Sequence, residues 1–204
     1  MSTLITPALV ALDADLGTDK AAVVHRLAAL VAGAGRATGA DALATDALAR
    51  EAKAATGLVA LDADLGTDKA AVIHHLAGLV AGSGRATGAD ALAEDALARE
   101  AKAATGLPGG IAIPHCRSAA VTEASLAFAR LAPPVDFGAP DGPADLAFLI
   151  AAPEHGDADH LTLLTALARA LVRPEFVASL RAARTAEEVV DLVQEVVSLS
   201  LIHI

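Results

Sequence analysis

Residues 9–57 and 58–106 are one 49-residue block written twice. The copies align without a gap and differ at only five positions: Val24/Ile73, Arg26/His75, Ala29/Gly78, Ala34/Ser83 and Thr45/Glu94. Equal sequences carry equal local preferences, so both copies read as the same succession of elements. A solenoid does not fit, because stacked arrays need three or more units with diverged caps. Here two near-copies run into unrelated sequence. The repeat reads as a tandem duplication or as a join between related sequences during assembly. The competing reading is an added regulatory or oligomerising segment.

Within each copy, VALDADL reads as a short strand. Thr18 (Thr67 in the second copy) stands where a helix cap belongs. Val23, Leu27, Leu30 and Val31 then follow the i, i+4, i+7, i+8 spacing of a helix face, and Gly33 and Gly35 end it. A second helix is predicted over 40–53, closing near Thr56-Gly57. Beyond the second copy, strands are predicted at 111–113, 125–131 and 145–152, with Pro133-Pro134 breaking the chain between the last two. Asp159 is predicted to cap a helix over 160–172, and Pro174 to open a short one. Thr185 with Glu188 makes a capping-box pattern for a final helix rich in valine. Strands mixed with helices of these lengths imply a layered α/β domain.

Composition narrows what such a domain can serve. The net charge of −10 leaves no basic face for nucleic-acid phosphates. With no Trp or Tyr and four Phe, base-stacking platforms are missing too. The mean hydropathy of +0.52 owes much to alanine. No apolar stretch reaches the roughly 18–20 residues of a spanning helix, so direct membrane insertion by this segment is not expected. The opening MSTLITPALVALDAD has no Lys or Arg ahead of an apolar core, unlike a signal peptide. One cysteine excludes an internal disulfide and fits a reducing cytosol.

The residue types that carry chemistry gather around GLPGGIAIPHCR, residues 106–117. Glycines permit close backbone approach, and Pro114 stiffens the position of His115. A rigidly held imidazole presents one nitrogen as a nucleophile while the other is fixed by a hydrogen bond. His115 would then stand where the strand stops, at the rim of a sheet. His160 falls in the first turn of a predicted helix, where backbone N–H groups favour an anion. Arg99, sixteen residues before His115, offers the fork that suits a phosphoryl group, and Arg50 is its counterpart in the first copy. Cys116 adjoins His115, but neighbours in extended chain point to opposite faces, so it reads as a packing residue. His25, His74 and His75 lie on the first helix of each copy; Arg26 in one copy aligns with His75 in the other, which suits a surface. The loop HGDADH (155–160) resembles the HxHxDH metal loop of the metallo-β-lactamase class, with Asp157 where a histidine belongs. The further ligands such a site needs are missing downstream, apart from His203.

TGLPGGIAIPHCR, the ARE upstream of it and DADHLTLLTALARAL downstream together resemble the enzyme IIA domains of the fructose–mannitol class of the bacterial phosphoenolpyruvate-dependent sugar phosphotransferase system. The resemblance covers about 58–198, and 1–57 matches the N-terminal part of that family equally well, beginning with LITPALVALD. It implies a mixed β-sheet flanked by helices on both faces, with the duplicated strand–helix–helix segment as surplus. It implies that His115 takes a phosphoryl group from the phosphohistidine of the carrier HPr and passes it to a cysteine on a IIB domain, with His160 and Arg99 flanking the group and no metal or other cofactor required. DFGAPDGPADLAFLIAAP is similar to fructose-specific members, in which IIB and membrane IIC domains follow on the same chain. The location this implies is cytoplasmic, tethered to the inner face of the membrane.

Three segments follow from this: 1–57 with the surplus or swapped first copy, 58–198 as the phosphotransferase domain, and 199–204 as a tail of non-native character. LSLIHI follows an amphipathic helix without a turn signal and matches a translated sequencing adapter. Removing 49 residues leaves 155, the size of an ordinary domain of this kind. The second copy, contiguous with His115, is expected to fill the native place; if the copies exchange, Arg50 replaces Arg99. The alternatives are a regulatory IIA-like sensor of phosphorylation, a metal-dependent hydrolase, and a duplicated chain that does not fold productively.

Overall fold

The computed structural model describes residues 20–33, 39–42, 44–45, 57–155 and 157–201, and of 20–22, 30, 33, 157–163 and 197–201 the backbone alone. The chain divides into two compact units, Met1–Ala54 and Ala55–Ile204.

In the first unit the helix α1 (Lys20–Gly33) is described. Ala28 and Ala44 are buried, and His25 Nδ1 lies 3.7 Å from Asp41. Leu27 is 43% exposed, whereas Leu76, its counterpart in the second copy, is fully buried.

The second unit holds β1 (Val59–Ala63), α2 (Lys69–Gly82), α3 (Ala89–Glu100), β2 (Gly106–Leu107), β3 (Ile111–Ala112), β4 (His115–Ser118), β5 (Ser125–Val135), β6 (Ala144–Pro153), α4 (Asp157–Leu171), α5 (Pro174–Ala182) and α6 (Ala186–Leu201). The six strands form one mixed sheet in the order β1-β5-β6-β3-β2, with β4 also on β6. β5 and β6 are antiparallel, while β1 on β5, and β3 and β4 on β6, are parallel.

The alternation of β6 shows why the sheet is covered on both faces. Ala147, Leu149 and Ala151 belong to the cluster formed with Val72, Ile73 and Leu76 of α2 and Leu92 and Ala96 of α3. Leu146, Phe148 and Ile150 belong to the cluster formed with Leu167 of α4, Leu180 of α5 and Val189 of α6. A strand buried on both sides reads as a continuous apolar run, which DLAFLIAA is. Phe128 and Phe148 are directly opposed in the β5–β6 register, with ring centroids 4.9 Å apart and planes tilted by 51°. The expected α/β architecture is therefore present.

Several boundaries differ from the sequence reading. The α2 cap is Asp68, whose carboxylate accepts the Ala70 N–H at 3.0 Å, and not Thr67 one residue earlier. β5 runs on to Val135 through Pro133-Pro134. The ladder to β6 shifts register between Arg130 and Val135, and prolines are tolerated where ladder bonds are already interrupted. α4 begins at Asp157, so Asp159 lies inside the helix and does not cap it. The cap before α6 forms at Thr185 as its sequence suggested, Thr185 Oγ1 accepting the Glu188 N–H at 3.2 Å, but the Glu188 carboxylate reaches past the cap residue to the Arg184 N–H at 2.7 Å. α6 continues through Leu201; residues 202–204, with His203, lie outside the described residues.

Candidate active site

The turn that delivers His115 is held from several sides. The Gly106 N–H donates to Phe137 O at 2.9 Å. A Cβ at Gly106 would lie 2.6 Å from Ala139 N and 2.7 Å from Phe137 O, both backbone atoms that cannot swing aside. Gly109 N–H donates to Asp141 at 2.7 Å, and its carbonyl accepts from Arg181, which pairs bidentately with Asp145 at 2.7 Å on each arm. Gly110 has φ +76°, and a Cβ there would meet that same Asp145–Arg181 pair. The Gly-Gly is thus required by a positive φ and by the ion pair packed on it.

After this turn β3 pairs with Leu146 and Ala147 of β6, and β4 with Ile150 through Pro153. His115 does not stand where the strand stops: it opens β4, opposite Ile150. Pro114, which lacks an N–H, interrupts the ladder between β3 and β4, while its carbonyl still accepts the Ile150 N–H at 3.0 Å. Alternation beyond the interruption follows the sequence reading. Cys116 and Ser118 are buried and Arg117 is exposed. Cys116 packs in the core beneath α3, 4.0 Å from Leu92 O, and burial pushes its thiol pKa up to about 12.

His115 is half-buried, and its Nδ1 lies 2.9 Å from the carbonyl oxygen of Ile113. A carbonyl only accepts, so Nδ1 carries the proton in this bond. In the neutral ring the lone pair then sits on Nε2. The ring borders a cleft of about 450 Å³ lined by Asp95, Ala98, Arg99, Lys102, His115, Cys116 and Arg117. Three cations face one carboxylate there, in a chain whose net charge is −10. Arg99 donates one N–H to Ala103 O at 3.1 Å, leaving donors of its five-fold fork for an anion. A second groove, about 430 Å³ between α5 and α6, is lined by Glu188, Asp191 and Glu195. Its acidic wall repels anions, which the first cleft would attract.

The structure brings His115 and Arg99 to one cleft. The His160 backbone lies in the first turn of α4; its side chain, and all of Arg50, lie outside the described residues. His155 is exposed. Sequence reasoning missed Lys102 and Arg117 as lining residues, although their spacing was available. Asp95, Arg99 and Lys102 follow the i, i+4, i+7 spacing of one helix face, and His115 and Arg117 the i, i+2 spacing of one strand face. It also missed Glu100, which is 3% exposed and bonded to Lys69 and Thr105. A carboxylate in the last turn of a helix gives no sequence signal of burial.

Comparison with known proteins places the chain in a wider group. The family model described as phosphoenolpyruvate-dependent sugar phosphotransferase system, EIIA 2, matches residues 58–196. A fructose-specific EIIA component of that system from Haloferax volcanii is 43% identical over 89 residues, 43% of this chain and 58% of the relative. The chain thus spans little more than half the length of this curated relative. The crystal structure of the nitrogen regulatory protein IIA-Ntr from Neisseria meningitidis superposes with a TM-score of 0.62 at 34% identity, covering 68% of this chain and 94% of that one. The mannitol enzyme IIA of Escherichia coli, solved in complex with phosphorylated enzyme IIB, shares the fold at a TM-score of 0.58 and 22% identity, over 68% and 95% of the two chains.

Proposed function

Since the chain belongs to the EIIA 2 family of the phosphoenolpyruvate-dependent sugar phosphotransferase system, a family of phosphoryl-transfer domains, we propose that Nε2 of His115 is the atom that carries the phosphoryl group. The observation that supports this most is the Nδ1–Ile113 hydrogen bond, which leaves the lone pair on Nε2 of a ring bordering a cationic cleft.

The donor is the phosphohistidine of HPr. The His115 Nε2 lone pair attacks phosphorus in line, the donor N–P bond breaks, and the donor imidazole leaves with that electron pair. A cysteine thiolate of a IIB domain then displaces His115 in the same way. Such an exchange between two nucleophiles asks the protein for positioning and charge stabilisation. Arg99 supplies a hydrogen-bonding fork, and Lys102 and Arg117 add positive charge. The start of α4, with His160, adds N-terminal backbone donors for the developing anion. The complex that the mannitol enzyme IIA forms with phosphorylated IIB supports the choice of acceptor.

Fructose is the sugar class favoured by the Haloferax relative, with the acceptor domains at the inner face of the membrane. The likeness to IIA-Ntr favours a second reading, in which the same phosphorylation serves as a regulatory signal. Both readings use the second copy, whose α2 and α3 pack on the sheet that bears His115, and leave the first copy as surplus.

The test is incorporation of phosphate from phosphoenolpyruvate through enzyme I and HPr, in the full chain and in a chain lacking residues 9–57. Both are expected to be labelled, and His115→Ala to abolish labelling in each. A phosphorylated IIB domain formed from the labelled protein supports the transport reading; label that stays on His115 in the presence of IIB supports the regulatory one.

A further inference from the structure

Next to a residue that lines the cleft, but not itself lining it, is a buried carboxylate whose role rests on the carrier reading. Glu100 is the residue next to Arg99 at the end of α3, and its side chain is buried. A carboxylate taken out of water needs partners for its oxygens, and this one has three. Oε1 accepts from Lys69 Nζ at 3.2 Å and from the Thr105 N–H at 3.3 Å; Oε2 accepts from the Thr105 hydroxyl at 2.6 Å.

Thr105 is thereby clamped through both its backbone and its side chain, and its carbonyl accepts the Ile113 N–H at 3.1 Å. The carbonyl of the same Ile113 accepts the Nδ1–H of His115 at 2.9 Å. The path from Glu100 to the imidazole therefore runs through Thr105 and Ile113, hydrogen bonds joined by the backbone of these two residues. Arg99, one residue away, follows the same helix end into the cleft. A single buried carboxylate so joins the end of the helix that bears the guanidinium to the segment that leads into the strand bearing the ring.

We propose that Glu100, acting through Thr105, is a positioning residue for phosphoryl transfer: it holds the Ile113 carbonyl where it selects the Nδ1–H tautomer of His115. The first copy repeats Lys20, Glu51 and Thr56 but runs into Leu58-Val59 instead of a Gly-Gly-Ile strand. Among the described residues, the clamp is linked to a histidine in the second copy. A hydrogen-bonded polar network built on a buried carboxylate fixes one geometry more than an apolar core would.

Ring ¹⁵N NMR of His115 and the rate of phosphate uptake from HPr test the proposal on the full chain. Thr105→Val keeps the side-chain shape and removes the hydroxyl; Glu100→Gln keeps the size and removes the charge. The wild-type ring is expected as a single Nδ1–H tautomer. Both variants are expected to show mixed tautomers and uptake slowed about tenfold or more, the scale of a misplaced reacting group, with Thr105→Ser restoring both. A single unchanged tautomer in both variants overturns the proposal whatever the rate, and so does a mixed ring with wild-type uptake. Failure of the wild type to take phosphate sinks the carrier reading alone, because the tautomer comparison needs no donor.

Discussion

At the scale of single residues, His115 and Cys116 show how one step along a strand separates two fates. His115 borders the cleft and is held through the carbonyl two residues back. Cys116 is turned into the core, where burial raises its thiol to about 12 against an ordinary value of 9.0. The raised value means that the folded state favours the protonated thiol. This contribution to stability is whole below about pH 9 and is lost as the pH rises from there towards 12. Cys116 in the native protein is therefore expected to react slowly with a thiol-specific reagent at pH 8, and readily once denaturant is added. Equal rates in the two states would contradict its burial. Asp62 shows the opposite sense: its bidentate hydrogen bonds to Arg130, at 2.7 and 2.8 Å, hold its carboxyl below the usual carboxylate value.

At the scale of elements, the Thr105–Gly110 turn is closely held, by backbone packed on Gly106 and by the Asp145–Arg181 pair packed on Gly110. Gly106→Ala would drive a Cβ into the backbone of Phe137 and Ala139. Overpacking of that kind costs on the order of 1–3 kcal/mol, so a lowered melting temperature is expected, read by thermal unfolding; an unchanged one would contradict the close approach. Much of this level was legible in the sequence. The run DLAFLIAA announced a strand covered on both faces, and Thr185 with Glu188 announced the α6 cap. The interruption at Pro114 was not, because Ile111–Ala112 and His115–Ser118 each pair with β6 and only the fold shows that they share a neighbour. The extension of β5 past Pro133-Pro134 depends likewise on a register shift against β6, which no local pattern encodes. Glu100 was invisible for a related reason: its partner Lys69 is made a neighbour by the packing of α2 and α3, and a glutamate in a final helical turn ordinarily faces water.

At the scale of the whole molecule, the repeat and the charge take on a physical meaning. Two copies share the residues of a helix pair, yet the copy continuous with Gly106–Arg117 is the one whose Leu76 is fully buried, while Leu27 of the other is 43% exposed. Among the described residues no helix is long and apolar enough to cross a membrane. An acidic protein that keeps Arg99, Lys102 and Arg117 around one histidine concentrates its positive potential where a phosphoryl group would dwell. The most direct test of that account is the position of the phosphate on the ring. The full chain, labelled with ¹⁵N and phosphorylated through HPr at alkaline pH, is examined by ¹⁵N–³¹P coupled NMR. A phosphoramidate is expected at Nε2 of His115, with Nδ1 still protonated and bonded to Ile113. Phosphate at Nδ1 of His115, or on any other residue, would contradict it.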